Sequence, residues 1–267
     1  MPLAVCATPI GNLDDVTLRV LAELREADVV LAEDTRHTRV LLERHGIDAR
    51  LVSYHEHNEA ARVAELLPRL RAGERVALVS DAGLPGVSDP GARLVRAALD
   101  AGVPVTVLPG PSAVETALVA SGLVAERYAF VGFLPRRRGE LEALWTELAS
   151  SQWPTVAFES PQRLPATLAS LAAAAPDRDV AVCRELTKRF EEVVRGRAAD
   201  VAARFAEAPR GEITLVLGPS RSDAPDPAAA VAAVADLVAA GTPRRVAAEV
   251  VSRLTDVSKN DLYRGTL

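Results

Sequence analysis

The stretch Glu33-Asp34-Thr35-Arg36-His37-Thr38 sets two carboxylates, a guanidinium and an imidazole within a short run of chain. Such a set can do proton chemistry: imidazole and carboxylate are the usual acceptors, and a guanidinium is suited to meeting a phosphate. The same spacing has a purely local reading, in which Asp34 or Thr35 caps a following helix and Arg36 pairs with Glu33. The two readings are compatible, so Asp34, Arg36 and His37 stand as the substrate-facing candidates. His55, Glu56 and His57 form a second polar cluster, read as shaping a groove rather than as catalytic. In Arg184-Glu185-Leu186-Thr187-Lys188, Lys188 and Glu185 either face a cleft or form a buried ion pair.

Three apolar runs end in turn chemistry that could bring these groups to a ligand. Residues 3–7 lead into Thr8-Pro9-Ile10-Gly11-Asn12-Leu13, residues 76–79 into Ser80-Asp81-Ala82-Gly83, and residues 105–108 into Pro109-Gly110-Pro111-Ser112-Ala113. In open parallel sheets ligands lie beyond the carboxyl ends of strands, where loops converge. Glycine removes the side chain that would keep a ligand from the backbone. Pro111-Ser112 before a helix leaves N–H groups for an anion or a carboxylate. Any one corner reads as an ordinary tight turn; three at one sheet edge point to a ligand cleft. The chain carries neither a G-x-G-x-x-G fingerprint nor a P-loop, which disfavours the usual dinucleotide and triphosphate folds.

The elements that must position these corners alternate through the first half. Strands are expected at residues 3–7, 29–32, 51–53, 76–80 and 105–108, and helices at 16–26, 35–45, 59–71 and 92–101. Gly46, Gly73 and Gly102 supply the helix stops. Nearly continuous apolar strands between helices argue for a mainly parallel sheet covered on both faces. Beyond Gly122 the pattern changes. Strands are expected at 128–133, 155–158, 180–184, 191–195 and 212–217, with helices at 141–149, 164–174 and 198–208. The short link around Thr187 predicts antiparallel pairing there. The reading is thus of an α/β protein with two domains, residues 1–122 with a mainly parallel sheet and 123–220 with a mixed sheet. Residues 221–267 form a linker and a helical tail, with a cap expected at Ser258-Lys259-Asn260-Asp261.

Composition narrows the function classes. Of 267 residues, 49% are apolar and only 4% aromatic, so the core is aliphatic and no aromatic-rich nucleic-acid platform is available. The formal net charge of −5 supplies no global attraction for nucleic acid. Cys6 and Cys183 are expected as buried, reduced thiols, and with four scattered histidines they give no zinc-ligand spacing, so no metal is expected. The absence of a signal-peptide pattern or a bilayer-length apolar run predicts a cytoplasmic protein without a membrane partner.

Read together, the motifs TPIGNL (8–13), AEDTRHT (32–38), YHEHNE (54–59), VSDAG (79–83), SDPG (88–91) and LPGPSA (108–113) resemble the tetrapyrrole methylase superfamily. GFLP (132–135), FES (158–160), RELTK (184–188), RGEITLVL (210–217) and VSKNDLY (257–263) continue the likeness along the chain. Within that superfamily the chain is most similar to the bacterial group that methylates a cytidine 2′-hydroxyl in the decoding region of small-subunit ribosomal RNA. The resemblance implies S-adenosylmethionine bound in a cleft between the two α/β domains. It places Ser80, Asp81, Ala82, Gly83, Gly110, Pro111, Ser112 and Ala113 along the cofactor pocket, with Pro9, Gly11 and Asn12 closing it. Phe133 and Leu134, Phe158-Glu159-Ser160 and Ile213-Thr214-Leu215 would flank the adenosyl part. One departure stands out: many relatives have Thr-Pro at 84–85 and a larger aliphatic at 87, where this chain has Leu84-Pro85 and Val87.

Ribose 2′-O methylation requires a proton acceptor, in-line positioning and tolerance of a cationic donor. Asp81, with Asp89 or Glu159, would supply an acidic cleft. RNA needs local positive charge, expected at Arg136-Arg137-Arg138, at Lys188 and, in the tail, at Arg244, Arg245, Lys259 and Arg264. His55 and His57 would shape the RNA groove. With an acidic total, the implied partner is a focused site on an assembled or assembling 30S particle, and family analogy implies a homodimer. The alternatives are a precorrin-like C-methyltransferase and a non-catalytic cofactor-binding domain.

Overall fold

The structure, a computed structural model, describes residues 2–86, 88–220, 227–255 and 257–266. Its first sheet contains β1 (Leu3–Cys6), β2 (Val29–Ala32), β3 (Leu51–Ser53), β4 (Val76–Val79) and β5 (Val105–Leu108), ordered β3-β2-β4-β1-β5 and parallel throughout. The helices α1 (Leu18–Glu26), α2 (Thr35–Arg44), α3 (Glu59–Arg71) and α4 (Ala92–Asp100) cover both faces. Period-two alternation does the sorting. Leu3 and Val5 of β1 join Leu66, Leu70 and Leu94 on one face. Ala4 and Cys6 join Val20, Leu24 and Leu42 on the other. Strands buried on both faces need apolar residues at every position, which is why β1, β2 and β4 read as continuous apolar runs.

α5 (Ala113–Ser121) leads to the second sheet: β6 (Ala129–Phe133), β7 (Thr155–Glu159), β8 (Asp179–Arg184), β9 (Glu192–Arg197) and β10 (Ile213–Leu217). Their order is β6-β7-β10-β8-β9, with β6 and β7 parallel and the other neighbours antiparallel. The antiparallel pair expected around Thr187 is β8 with β9. α5 lies on one face, where Val114, Ala117 and Leu118 meet Val156, Cys183 and Val216. The remaining helices of this half are α6 (Arg138–Leu148), α7 (Leu164–Ala174) and α8 (Ala198–Arg204). The protein therefore has two α/β domains, one on a parallel sheet and one on a mixed sheet. Cys6 and Cys183 are buried free thiols, each pushed up to about 12 by burial.

Both sheets belong to one compact unit, Met1–Glu147 with Trp153–Gly218. A second unit comprises Leu148–Gln152 and Pro219–Leu267. It contains α9 (Pro227–Ala239), α10 (Arg244–Thr255) and α11 (Lys259–Gly265), which bury Ala230, Val234, Ala247, Val251 and Leu262 together. Most of the expected linker, residues 221–226, lies outside the described residues, as does Val87. Among the described residues no helix is long and apolar enough to cross a membrane.

Several element boundaries differ from the sequence expectation for local reasons. α1 starts at Leu18 rather than 16 because Thr17 Oγ1 accepts the Val20 N–H at 3.2 Å and caps the helix. α6 begins at Arg138, three residues before the expected 141, where Arg138 pairs with Glu142 at 2.7 Å across one turn. α8 stops at Arg204 rather than 208. Ser258 precedes α11 but caps it through its carbonyl, which accepts the Asp261 and Leu262 N–H groups at 3.0 Å.

Candidate functional site

Because the first sheet is parallel, the carboxyl ends of its strands share one edge, and the three glycine-bearing corners meet there. The Ala7 N–H donates to Leu108 O at 3.1 Å, joining the β1 and β5 ends. Thr8 and Gly83 exchange backbone bonds of 2.8 and 3.1 Å, joining β1 to β4, while Thr8 Oγ1 donates to Ser80 O at 3.0 Å. The Gly83 φ of 77° is a conformation that favours glycine, and a Cβ there would lie 3.8 Å from Ile10 Cγ2 and from Pro111 O. Gly110 is needed for close approach: a Cβ there would stand 2.9 Å from that of Ala7. Beyond it, the Ser112 hydroxyl donates to Glu115 and makes no side-chain cap on α5, so the helix opens with uncapped N–H groups. Pro9 is buried, Asp81, Ala82 and Gly110 are exposed, and Ala113 is half-buried.

The Asp34–His37 stretch follows β2, the neighbour of β4, and arrives at the same edge. Asp34 is the N-cap of α2: its Oδ1 accepts the Arg36 N–H at 2.9 Å. The Arg36 guanidinium grips the same carboxylate, with Nε at 3.0 Å and Nη2 at 2.6 Å, and holds it well below the usual carboxylate range. The local reading therefore holds in part, with Arg36 on Asp34 rather than Glu33. The Asp34 N–H donates to Asp81 Oδ1 at 2.9 Å, and His37 Nδ1 stands 3.9 Å from Asp81 Oδ2. The His37 side chain is 72% exposed. Behind this pair, burial raises Glu33, with Asp81 adding to the effect. Burial likewise pushes Asp89 up to about 6, with Glu33 adding to it. Among the described residues no cluster of three or more His, Cys, Asp or Glu side chains is arranged to hold a metal ion.

YHEHNE is a strut beside this edge. Tyr54 is fully buried; its hydroxyl donates to Glu59 Oε1 at 2.9 Å, and the same oxygen accepts the Gly91 N–H at 2.9 Å, tying β3 to the segment after β4. Asn58 Oδ1 accepts the His55 N–H at 2.9 Å. His57 lies on the surface with its ring 5.9 Å from that of His55.

From the second domain, Gly132 sits at a bulge between β6 and β7, and a Cβ on it would lie 3.7 Å from Ser88 Oγ. That contact brings GFLP to the β4 corner. Phe133 is 63% exposed and packs edge-on to Phe158, whose ring is 5.4 Å away. Leu134 is buried. Glu159 points inward: its side chain is fully buried and accepts from Thr167 Oγ1 at 2.5 Å and the Ser160 N–H at 2.7 Å, with Arg163 at 3.3 Å. Arg163 also donates to Leu134 O at 3.1 Å and Pro135 O at 2.5 Å, so it staples GFLP to FES. Ile213, Thr214 and Leu215 are buried in the central strand β10. Sequence reasoning missed Thr8, Asn58 and Arg163; the first two lie inside the quoted motifs, but Arg163 carries no local signal.

Lys188 forms an ion pair that is only partly buried. Its Nζ lies 2.9 Å from Glu185 Oε1 and from Glu212 Oε2, and the residue also lines a groove of about 690 Å³ with Gly11, Asn12, Arg44 and Arg189. The Asn12 N–H donates to Thr187 Oγ1 at 3.0 Å, holding Thr187 at a φ of 64°. Arg136, Arg137 and Arg138 are exposed, the last two paired with Glu140 and Glu142. In the helical unit, Lys259 pairs with Glu249 at 2.6 Å.

The family model described as Tetrapyrrole (Corrin/Porphyrin) Methylases matches residues 2–202. The chain is 46% identical over 265 residues to the Ribosomal RNA small subunit methyltransferase I of Micromonospora olivasterospora, covering 98% of this chain and 85% of that protein. To the protein of the same name from Mesorhizobium japonicum it is 44% identical over 268 residues, covering 99% of this chain and 91% of that one. Among solved structures, the uroporphyrin-III C-methyl transferase of Thermus thermophilus complexed with S-adenyl homocysteine matches with a TM-score of 0.58. It is 22% identical, and the match covers 81% of this chain and 96% of that one, a likeness of fold.

Proposed function

Since the chain belongs to the tetrapyrrole (corrin/porphyrin) methylase family, we propose that it is an S-adenosylmethionine-dependent methyltransferase of small-subunit ribosomal RNA. The acceptor is the ribose 2′-hydroxyl of a cytidine in the decoding region. The observation that carries the reading is the Asp81 carboxylate, shared between the glycine corners and the Asp34–His37 cluster. The relatives at 44% and 46% identity favour RNA over a tetrapyrrole ring as acceptor.

The residues present suit such a donor. Its amino-acid end carries a carboxylate, which the uncapped start of α5 can receive, and cationic groups, which Asp81, Asp89 and Glu33 can face. Pro9, Gly11, Asn12, Ser80, Ala82, Gly83, Gly110, Pro111, Ser112 and Ala113 would line its pocket, with Phe133, Leu134, Phe158, Ser160 and the 213–215 strand beside its adenosyl end. S-adenosylmethionine supplies an electrophilic methyl group on a sulfonium, a good leaving group that needs no metal.

The protein's part is positioning and proton handling. Asp34 is locked as an anion by Arg36, which makes it a poor proton acceptor and a good anchor. His37, exposed and oriented towards Asp81, accepts the 2′-hydroxyl proton, and Asp81 stabilises the imidazolium that results. Arg36 keeps outward N–H groups for a phosphate. Arg136, Arg137 and Arg138, with His57, Lys188 and, in the tail, Lys259, meet the RNA. In this reading residues 1–122 carry the donor corners, 123–220 close over them, and 221–267 engage the particle. The enzyme works in the cytoplasm, as a homodimer, on an assembled or assembling 30S subunit.

The test is incubation with methyl-labelled S-adenosylmethionine and small subunits lacking the modification. Label should appear in an alkali-resistant dinucleotide, because 2′-O-methylation blocks backbone hydrolysis; label confined to a base or to protein overturns the assignment. Transfer to a precorrin-like ring with none to RNA would establish the other acceptor.

A further inference from the structure

A groove of about 690 Å³ opens between residues 11–14 and residues 187–189, with Arg44 on its wall. α2 leads into it from the rim that holds His37. His37, Val40 and Arg44 fall at i, i+3 and i+7, one stripe of the helix, and all three are exposed. At 1.5 Å per residue, Arg44 lies about 10 Å along the axis from His37. The opposite wall is held in place. Thr187 is β-branched yet sits at a φ of 64°, and Glu185 sits at 51°, a backbone that persists only where its surroundings fix it. The Thr187 N–H donates to Glu191 Oε2 at 2.5 Å, its hydroxyl accepts the Asn12 N–H at 3.0 Å, and a Cβ on Gly11 would stand 2.5 Å from Lys188 Cγ.

The cations here are not equally committed. Lys188 is taken by Glu185 and Glu212. Arg44 grips Asp14 through Nε and Nη2, an exposed pair of little energy, and keeps its Nη1 donors. Arg189 makes no ion pair among the described residues; its guanidinium lies 5.5 Å from the centroid of the Phe190 ring. Phe190 is 64% exposed. An exposed ring beside an unpaired guanidinium suits an unstacked base and its phosphate, and one ring is enough for one base. An acidic protein segment would meet the arginines but leave the ring without a planar partner. We propose that this groove is the subsite for an unpaired nucleotide flanking the methylated one: its base stacks on Phe190, and its phosphate meets Arg189 and Arg44. At that distance from His37 the subsite positions the strand and takes no part in proton transfer. The inference rests on the RNA reading above and adds where the strand runs.

Methylation of small subunits lacking the modification, followed at several salt concentrations, gives kcat, KM and the salt slope. Phe190→Leu keeps an apolar side chain and loses the ring. Its KM should rise about fivefold, the low end for one stacked base, with kcat and salt slope unchanged. Phe190→Trp should restore KM. Arg189→Ala should raise KM and lower the slope of log KM against log salt by about 0.7, the loss of one phosphate contact on a single strand. Thermal midpoints of the three variants control for folding. A wild-type KM in Phe190→Leu, or an unchanged slope in Arg189→Ala, overturns the proposal. A second arm needs no methyl transfer: the anisotropy of a fluorescent single-stranded oligouridylate should report weaker binding by Phe190→Leu and recovery in Phe190→Trp. Unchanged or absent oligouridylate binding, even with a raised KM on particles, assigns the surface to ribosomal protein and overturns the nucleotide subsite. A wild-type protein that binds the oligouridylate through Phe190 but methylates no RNA removes the acceptor reading alone, because the nucleotide subsite then stands.

Discussion

Asp81 is bonded to the start of α2 from across the sheet: its Oδ1 accepts the Asp34 N–H at 2.9 Å, and its Oδ2 lies 3.9 Å from His37 Nδ1. One carboxylate thus fixes the backbone of the Asp34 corner and faces its imidazole. Asp81→Asn keeps an oxygen for the Asp34 N–H and removes the charge. It is expected to keep a wild-type thermal midpoint while kcat for RNA methylation falls at least about tenfold, the low end for losing an orienting partner of a base. A wild-type kcat in that variant would remove Asp81 and His37 from the proton-transfer step.

Gly83 and Gly110 test the meeting of the corners. Gly83→Ala places a side chain at a φ of 77°, and Gly110→Ala places a Cβ 2.9 Å from that of Ala7. Each is expected to cost about 1–3 kcal/mol in urea unfolding and to weaken donor binding measured by calorimetry. Gly46→Ala also introduces a positive-φ side chain, at 60°, but with open space around it. That variant should lose stability only.

Asp89 gives a pH signature. Its carboxyl rises from 3.8 to about 6, chiefly through burial. A raised carboxyl means that the folded state binds the extra proton, so stability falls as pH climbs from about 4 to about 6 and is level above that. Asp89→Asn removes the penalty and is expected to gain roughly 1 kcal/mol above pH 6, a figure discounted for the partly solvated position, with no gain at pH 4. Urea midpoints at the two pH values decide it.

Glu159 and Arg163 separate a structural from a ligand-binding role. Glu159 is bonded inward, and Arg163 spends its guanidinium on Glu159 and two GFLP carbonyls. Arg163→Ala leaves a buried carboxylate short of its cation and is expected to destabilise by about 3 kcal/mol. Glu159→Gln should change the unfolding midpoint more than the donor Kd; the reverse order would make Glu159 a ligand contact.

The arginine run makes a kinetic prediction. Replacing Arg136, Arg137 and Arg138 together by alanine should raise KM for the RNA substrate and flatten its dependence on salt, with kcat unchanged, because phosphate contacts position and do not react. An unaltered salt slope would place the RNA elsewhere on the surface.

Much of this site lay open in the chain itself. Corners such as Ser80-Asp81-Ala82-Gly83 and Pro109-Gly110-Pro111-Ser112 are local chemistry, and turn residues carry their meaning without tertiary help. The two-face burial of β1 and β4 is written as unbroken apolar runs. Partnerships were another matter. That Glu159 would turn inward to Thr167 and that Asp81 would reach a backbone amide 47 residues away are not local properties. The last depends on strand register: a one-residue slip of β4 against β2 would send the Asp81 side chain to the opposite face. The residue types at the edge were determined by sequence, and which of them touch was decided only when parallel strands brought distant corners to one rim.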